Sequence, residues 1–433
     1  VDIFQNIGAC QYSLGEFKQA LFWFKLALGY SPNDPELHKN YALCLFHFKS
    51  YDEALKHFNL SIQFNIEDYS LFMLIAYCHH YLGEYAPAEE FVNAYREHAG
   101  DKIGLDELNC LTLLVSIYKA WNQDDRAEEC LAEINEKFPD QAWAYSNYLF
   151  SRIFRSGEAQ QDLFNKHLQF AERYEAPFKS SWGGYKNSVD PERKLKVGYV
   201  SADFFSHSVS YFSLPLIANH DRSSFEIHCF SAQEVEKDPV SQRIRREVTW
   251  HNIQNKSTDE VVKLVREKKI DILVDLSGHT GGNQLLSFAR KPAPLQFTWI
   301  GYPFTTGLSA IDYRIVDKYI EPEGSECLSS EKLLRIEGCF CAYRPSVSRP
   351  HRLTSGELDI KPTPALANGF VTFGCCNTFH KVTDFTLSLW ARILKETPNS
   401  KLLLEVGNAS APDVLKAVHE KIERAGIDLL QVE

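Results

Sequence analysis

Residues 34 apart repeat one another through the first third of the chain, and this period constrains the fold more than any other feature. Cys10, Cys44 and Cys78 share one register, and Phe17, Tyr51 and Tyr85 a second. Ala20, Ala54 and Ala88 hold a third, Phe24, Phe58 and Val92 a fourth, and Gly8, Ala42 and Ala76 a fifth. Small residues at fixed spacing let two helices cross closely, while the aromatics fill the gap from one helix pair to the next. Such a unit cannot bury its apolar face alone, so the period predicts a stacked array of helix pairs. Pro32 closes the first unit as a helix breaker should. After an insertion near Gly100 to Gly104, Ala127, Leu131, Ile134 and Pro139 resume the register. A further first helix is expected from Gln141 to about Phe154.

The pattern resembles the tetratricopeptide repeat, which has this period. Asn6, Asn40 and Asn147 fall at one position of the first helices, the helices that line the concave face of such arrays. Their amides either clamp the backbone of an extended peptide or are solvated polar positions, and Leu74 and Leu113 interrupt the series. The net charge of −11 is concentrated at the front, with 22 acidic against 10 basic residues up to Asp140. That balance argues against nucleic acid as a partner, because phosphate binding needs clustered Lys and Arg. No apolar run approaches the roughly 18 residues that span a bilayer, so no membrane association is expected. The chain begins at Val1, which leaves room for a removed leading segment. Eleven cysteines include no Cys-x-x-Cys pair, and Cys339-x-Cys341 and Cys375-Cys376 are too tightly spaced for ordinary zinc ligation. Buried structural thiols and no metal site are the expectation.

The stretch from Ala176 to Pro191 is rich in turn formers, and the periodicity changes after it. Strands are expected at Leu195–Val200, Phe225–Ser231, Ile270–Leu276 and Leu295–Trp299, with helices at Val209–Ala218, Asp259–Lys268 and Gln284–Phe288. This alternation implies a parallel, doubly wound sheet. Three segments turn through Gly, Ser, Thr and His beside short apolar runs: Lys196 to Phe212, Ile270 to Asn283 and Arg290 to Gly307. In an open α/β sheet, ligands sit just beyond such strand ends. Gly198 stands without the further glycines of a dinucleotide fingerprint, and no Gly-x-Ser-x-Gly, Walker loop or Asp-x-Asp pair occurs.

His207-Ser-Val-Ser-Tyr-Phe212, Gly278-His-Thr280 and Trp299-Ile-Gly-Tyr-Pro303 with Thr305-Thr-Gly307 closely resemble the catalytic region of the intracellular protein O-glycosyltransferases. That family comprises O-GlcNAc transferase and SPINDLY, and the motifs lie nearer SPINDLY. The resemblance implies a tetratricopeptide superhelix followed by a GT-B transferase of two Rossmann-like lobes. On that reading residues 1–155 are the repeats, 156–193 a helical connection and linker, and 194–344 the acceptor-side lobe. Residues 345–368 are then an interlobe linker, and 369–433 the start of a nucleotide-sugar lobe that stops early. In that second lobe, strands are expected at Gly369–Gly374 and Lys401–Val406 around a helix at Asp384–Lys395.

The resemblance places His207 at the active-site histidine, where an imidazole accepts a hydroxyl proton or orients the acceptor, unless the donor phosphate takes the proton. Asp203 then holds the tautomer of His207 or caps the following helix. His279 and Thr280 face the same cleft or only shape the Gly281-Gly282 turn, and Pro303, Thr305 and Thr306 form a rigid wall. Asn377-Thr-Phe-His-Lys381 matches the donor turn, with Lys381 on the diphosphate; Thr378 replaces a glutamine of the O-GlcNAc enzyme. The implied reaction moves one sugar from UDP-GlcNAc or GDP-fucose to Ser or Thr of proteins held along the repeats. No cofactor or metal is expected, the setting is cytoplasmic or nuclear, and a homodimer through the repeats is compatible. The rival is a scaffold with a transferase-like lobe and no catalysis. His220 and His228 read as surface or packing residues, His251 as following a strand, and Arg243, Arg245 and Arg246 as a solvated helix face.

Overall fold

The 34-residue period becomes four consecutive helix pairs in the computed structural model, which describes residues 1–64, 69–100, 106–155, 157–344 and 359–433. They are α1 (Asp2–Ser13) with α2 (Phe17–Tyr30), α3 (Pro35–His47) with α4 (Tyr51–Phe64), α5 (Leu71–Leu82) with α6 (Tyr85–Ala99), and α7 (Asp106–Ala120) with α8 (Asp124–Lys137). The register residues are the core: Ala20, Ala54, Ala88, Ala42 and Ala76 are fully buried, as is Phe58. A Cβ on Gly8 would lie 2.8 Å from the ring of Phe24, so a side chain there would force that ring to shift. Asp34 caps α3 by accepting from the backbone N–H groups of Glu36 and Leu37 at 3.0 and 3.1 Å, with Pro35 at the first helical position. Cys44, Cys78 and Cys110 are buried, and desolvation pushes their thiols up to about 11, 12 and 11. The expectation of buried thiols fails at Cys10, Cys327, Cys339 and Cys376, which are exposed.

The chain divides into two compact units, one of Val1–Pro139 with Pro364–Glu433 and one of Asp140–Thr363. Sequence period and packing therefore part company at α9 (Ala142–Arg152) and α10 (Gln160–Tyr174). Tyr145, Leu149 and Phe170 of these helices share one core cluster with Val200, Phe230, Leu285 and Leu308, so both helices are a cover for the sheet.

The sheet of the second unit has seven parallel strands in the order β3-β2-β1-β4-β5-β6-β7. They are β1 (Leu195–Ser201), β2 (Phe225–Ser231), β3 (Thr249–Asn252), β4 (Ile272–Asp275), β5 (Leu295–Thr298), β6 (Tyr313–Val316) and β7 (Lys332–Arg335). The connecting helices are α11 (Ser208–Asn219), α12 (Pro239–Glu247), α13 (Thr258–Lys268) and α14 (Leu285–Phe288). Successive strand residues alternate between two core clusters: Val200 and Leu273 face α9 and α10, while Val197, Tyr199 and Val274 face α11 and α12. Edge strands β3 and β7 bury only one face or less, and His251 lies inside β3 rather than after it.

In the first unit, β8 (Val371–Cys375) pairs in parallel with β9 (Ser400–Leu404) beside helices Asp384–Glu396 and Pro412–Arg424. This sheet is tied to the repeats: Trp121 Nε1–H donates to the Asp413 carbonyl at 3.1 Å, and the Ala86 N–H to the Asp413 carboxylate at 3.3 Å. No helix among the described residues is long and apolar enough to cross a membrane.

Candidate active site

Strand order reverses between β1 and β4, so the loops leaving these two strands border the crevice where doubly wound sheets bind ligands. The loop after β1 is braced at both ends. The Asp203 N–H donates to Ser201 Oγ at 2.9 Å, and Ser210 Oγ donates back to the Asp203 carbonyl at 2.8 Å. His207 is the N-cap of α11, with Nδ1 accepting from the Val209 N–H at 3.3 Å. Capping thus falls to His207, and the Asp203 carboxylate stands 3.7 Å from His207 Nδ1. The imidazole is 40% exposed and the carboxylate 17%. Burial pushes the Asp203 carboxyl up, and His207 pulls it part of the way back. With Nδ1 accepting from Val209, the proton of a neutral ring sits on Nε2. Turning the Nδ1–H toward Asp203 frees the Nε2 lone pair to accept a proton.

The loop after β4 is organised by a residue the sequence reading passed over. Asp275 is fully buried and accepts from the Gly278 N–H at 2.8 Å, the Ser277 N–H at 3.1 Å and Thr298 Oγ at 2.8 Å. Burial raises its carboxyl to about 6 against the lowering effect of these bonds. Gly282, at φ +72°, comes so near the first loop that an added Cβ would lie 2.7 Å from Ala202 Cβ.

His279 does not face a cleft. It is fully buried, with Nδ1 3.0 Å from Ser146 Oγ of α9 and Nε2 2.9 Å from the Thr306 carbonyl. Its pKa lies well below the ordinary value because burial and the neighbouring His167 both oppose a charge. Thr280 is half-buried, and its hydroxyl donates to the Ser277 carbonyl at 2.8 Å. Thr305 and Thr306 are buried around Glu331, whose carboxylate takes Thr305 Oγ1 at 2.6 Å, the Thr306 N–H at 2.8 Å and the Thr306 hydroxyl. Pro303 alone of this wall is exposed. Gly307 has φ +80°, and a Cβ there would meet the His167 carbonyl at 2.2 Å. His167 is itself buried between the Leu163 carbonyl at 2.7 Å and Tyr302 Oη at 2.8 Å.

In the first unit, Thr378 precedes a single helical turn, Phe379–Lys381, pinned by buried Phe379. Asn377, Thr378 and Lys381 are exposed on that turn. Lys421 Nζ holds its end by donating to the Val382 carbonyl at 3.0 Å. Burial lowers the pKa of the intervening His380, and Lys381 and Lys119 of α7 lower it further. Asn6 is exposed, while Asn40 and Asn147 are half-buried.

The structure therefore brings His207 and Asp203 together in the open, and gathers His279, Thr306, Thr305 and Glu331 into the interior. Asp275 had a legible signal, since an Asp ending a buried run before Ser-Gly favours a side-chain-closed turn. Glu331 had none, because it reaches Thr305 and Thr306 only through the β6–β7 pairing. A groove of about 370 Å³ lined by Lys194, Arg222 and Arg246 together with Glu226 and Glu247 lies at the opposite, amino-terminal ends of β2 and β3.

Repeats followed by a doubly wound parallel lobe, with a histidine at the switch point, place the chain among the repeat-bearing α/β proteins. Comparison makes the class specific: residues 156–343 match the model of glycosyl transferase family 41, and residues 1–34 that of the tetratricopeptide repeat. The SPINDLY protein of Arabidopsis thaliana, named a probable UDP-N-acetylglucosamine–peptide N-acetylglucosaminyltransferase, is 37% identical over 302 residues, 68% of this chain and 32% of that protein. The SEC protein of the same plant is 30% identical over 223 residues, 51% of this chain and 22% of that one. A mutant of the Thermobaculum terrenum O-GlcNAc transferase superposes with a TM-score of 0.74 at 27% identity, covering 92% of this chain and 73% of that one. The chain is thus similar to SPINDLY and O-GlcNAc transferase, with the family 41 match over residues 156–343 and the tetratricopeptide match over residues 1–34. It spans about a third of the length of the SPINDLY proteins it matches.

Proposed function

We propose that this chain belongs to a protein O-glycosyltransferase that moves one sugar from a nucleotide diphosphate donor to Ser or Thr of a protein. The observation that carries this reading is His207, an exposed imidazole at the crevice between β1 and β4 with a carboxylate 3.7 Å behind it. An acceptor hydroxyl needs a base or an orienting partner as it attacks the anomeric carbon, and His207 offers either according to its tautomer. The charge that develops on the departing diphosphate needs fixed donors, and Lys381 with its turn is the candidate group. On this reading no metal has to supply that charge, and the repeats present an extended stretch of the acceptor protein in the cytoplasm or nucleus. GlcNAc from UDP-GlcNAc is the first candidate, because SPINDLY and SEC carry that activity in their names. Fucose from GDP-fucose is the second, and a homodimer through the repeats is compatible with both.

The test is transfer of labelled sugar from each donor to a Ser/Thr-rich protein, with His207→Ala as the comparison. A loss of about 10²- to 10⁴-fold is expected for a general base or orienting group, with no more than the roughly 1 kcal/mol of stability that the α11 cap contributes. Equal transfer by the variant removes His207 from the chemistry, and no transfer by the parent chain from either donor favours the scaffold reading.

A further inference from the structure

Cys339 and Cys341 lie after β7, outside the residues assigned above, and their Sγ atoms are 3.7 Å apart. Cys339 is exposed and Cys341 half-buried. The chain bends at Phe340, which draws the two flanking residues together. That bend is held from both sides of one residue: the Phe340 N–H donates to Asp317 Oδ2 at 2.8 Å, and the Phe340 carbonyl accepts from Trp299 Nε1–H at 2.8 Å. Phe340 and Cys341 also pack on the core cluster that includes Leu214 and Trp299. The pairing of the sulfurs is thus a product of a clamped backbone. Because disulfide geometry demands close Cα atoms and convergent Cβ vectors, a clamp of this kind is what a ring between such near neighbours needs.

We propose that Cys339 and Cys341 form a dithiol–disulfide site, oxidised by a small soluble disulfide such as oxidised glutathione. The exposed Cys339 sulfur, as thiolate, attacks one sulfur of the oxidant, forms a mixed disulfide and releases one glutathione thiolate, which takes up the proton that Cys339 lost. Cys341 then loses its proton and attacks Cys339 Sγ. The mixed disulfide breaks, and the second glutathione leaves and is protonated. Two protein thiols lose two electrons and two protons, and one oxidant disulfide becomes two thiols. Burial raises the Cys341 thiol to about 11, which suits the order in which the exposed partner attacks first. The site has a route to the crevice. The Arg344 N–H donates to the Tyr211 carbonyl of α11 at 2.9 Å, and the Tyr343 ring lies beside Tyr211 and Phe212, so the dithiol sits on the segment that braces the helix capped by His207.

The experiment equilibrates the full chain in glutathione buffers of increasing oxidised fraction, followed by acid quenching, alkylation and peptide mapping. The expected result is a peptide in which Cys339 and Cys341 are linked to each other and two hydrogens lighter than the reduced form. Cys341→Ser should instead hold glutathione stably on Cys339. The exposed Cys10, Cys327 and Cys376 serve as internal references for simple thiol oxidation. The proposal is overturned if, where those references carry glutathione, Cys339 and Cys341 remain alkylatable or each carries its own glutathione without a link.

Discussion

Asp203–His207 behind β1 and Gly278–Gly282 behind β4 are both short polar loops with one histidine, both flank the strand-order reversal, and they touch at Ala202 and Gly282. Yet His207 is 40% exposed, whereas His279 is fully buried with both nitrogens engaged. The difference comes from what covers them. α9 and α10 lie over the second loop, with Ser146 bonded to His279 and His167 to Tyr302, and the described residues place no such helix over His207. One loop leaves its histidine 40% exposed, and the other spends its polar atoms on the fold.

The contrast can be broken most sharply at the two histidines. His279→Ala should destabilise the unit of Asp140–Thr363 by about 2–4 kcal/mol, because it opens a cavity and leaves Ser146 and the Thr306 carbonyl without their partner. His207→Ala removes only the cap bond to the Val209 N–H and should cost about 1 kcal/mol. Denaturant unfolding monitored at constant m-value checks both, and equal losses would dissolve the distinction.

Acid should act on the covered loop. His167 is held at about 4 by burial, below its unfolded value of 6.5. Between those values the unfolded chain binds a proton that the folded chain refuses, so stability is full above about 6.5 and falls as pH drops toward 4. The His167 contribution lost is roughly 3 kcal/mol. Asp275 opposes this: its folded value of about 6 exceeds the unfolded 3.8, so acidification through that window returns part of the stability. His167→Gln should flatten the decline in urea midpoint between pH 7 and 4.5, and an unchanged slope would place the acid sensitivity elsewhere.

A smaller contrast separates two threonines. Thr306→Val strips the buried Glu331 carboxylate of a hydroxyl donor and should lower stability by about 1–3 kcal/mol. Thr280→Val removes a half-exposed bond to the Ser277 carbonyl and should lower it by less than about 1 kcal/mol. Thermal unfolding of both ranks them, and a reversed order would mean that Thr280, not Thr306, holds the loop.

Much of this architecture is written in the chain. The registers of Ala20, Phe24 and Cys44 give the repeats because each helix pair must bury the same positions against its neighbours. The apolar runs that become β1, β2 and β5 were legible within a residue or two, because buried parallel strands need continuous apolar residues. Edge strands β3 and β7 were not, since Thr249–Asn252 and Lys332–Arg335 bury too little to leave such a run. At the candidate site, sequence alone put Asp203 and His207 four residues apart on one strand-to-helix loop, which is a local fact. Whether a Gly-His-Thr turn would be open or covered was not local. It depended on Ser146, 133 positions before His279, and on Glu331, 25 after Thr306, coming together across the sheet. Periodicity and turn chemistry are properties of neighbours along the chain. Burial is a property of neighbours in space, and only the tertiary structure decides it.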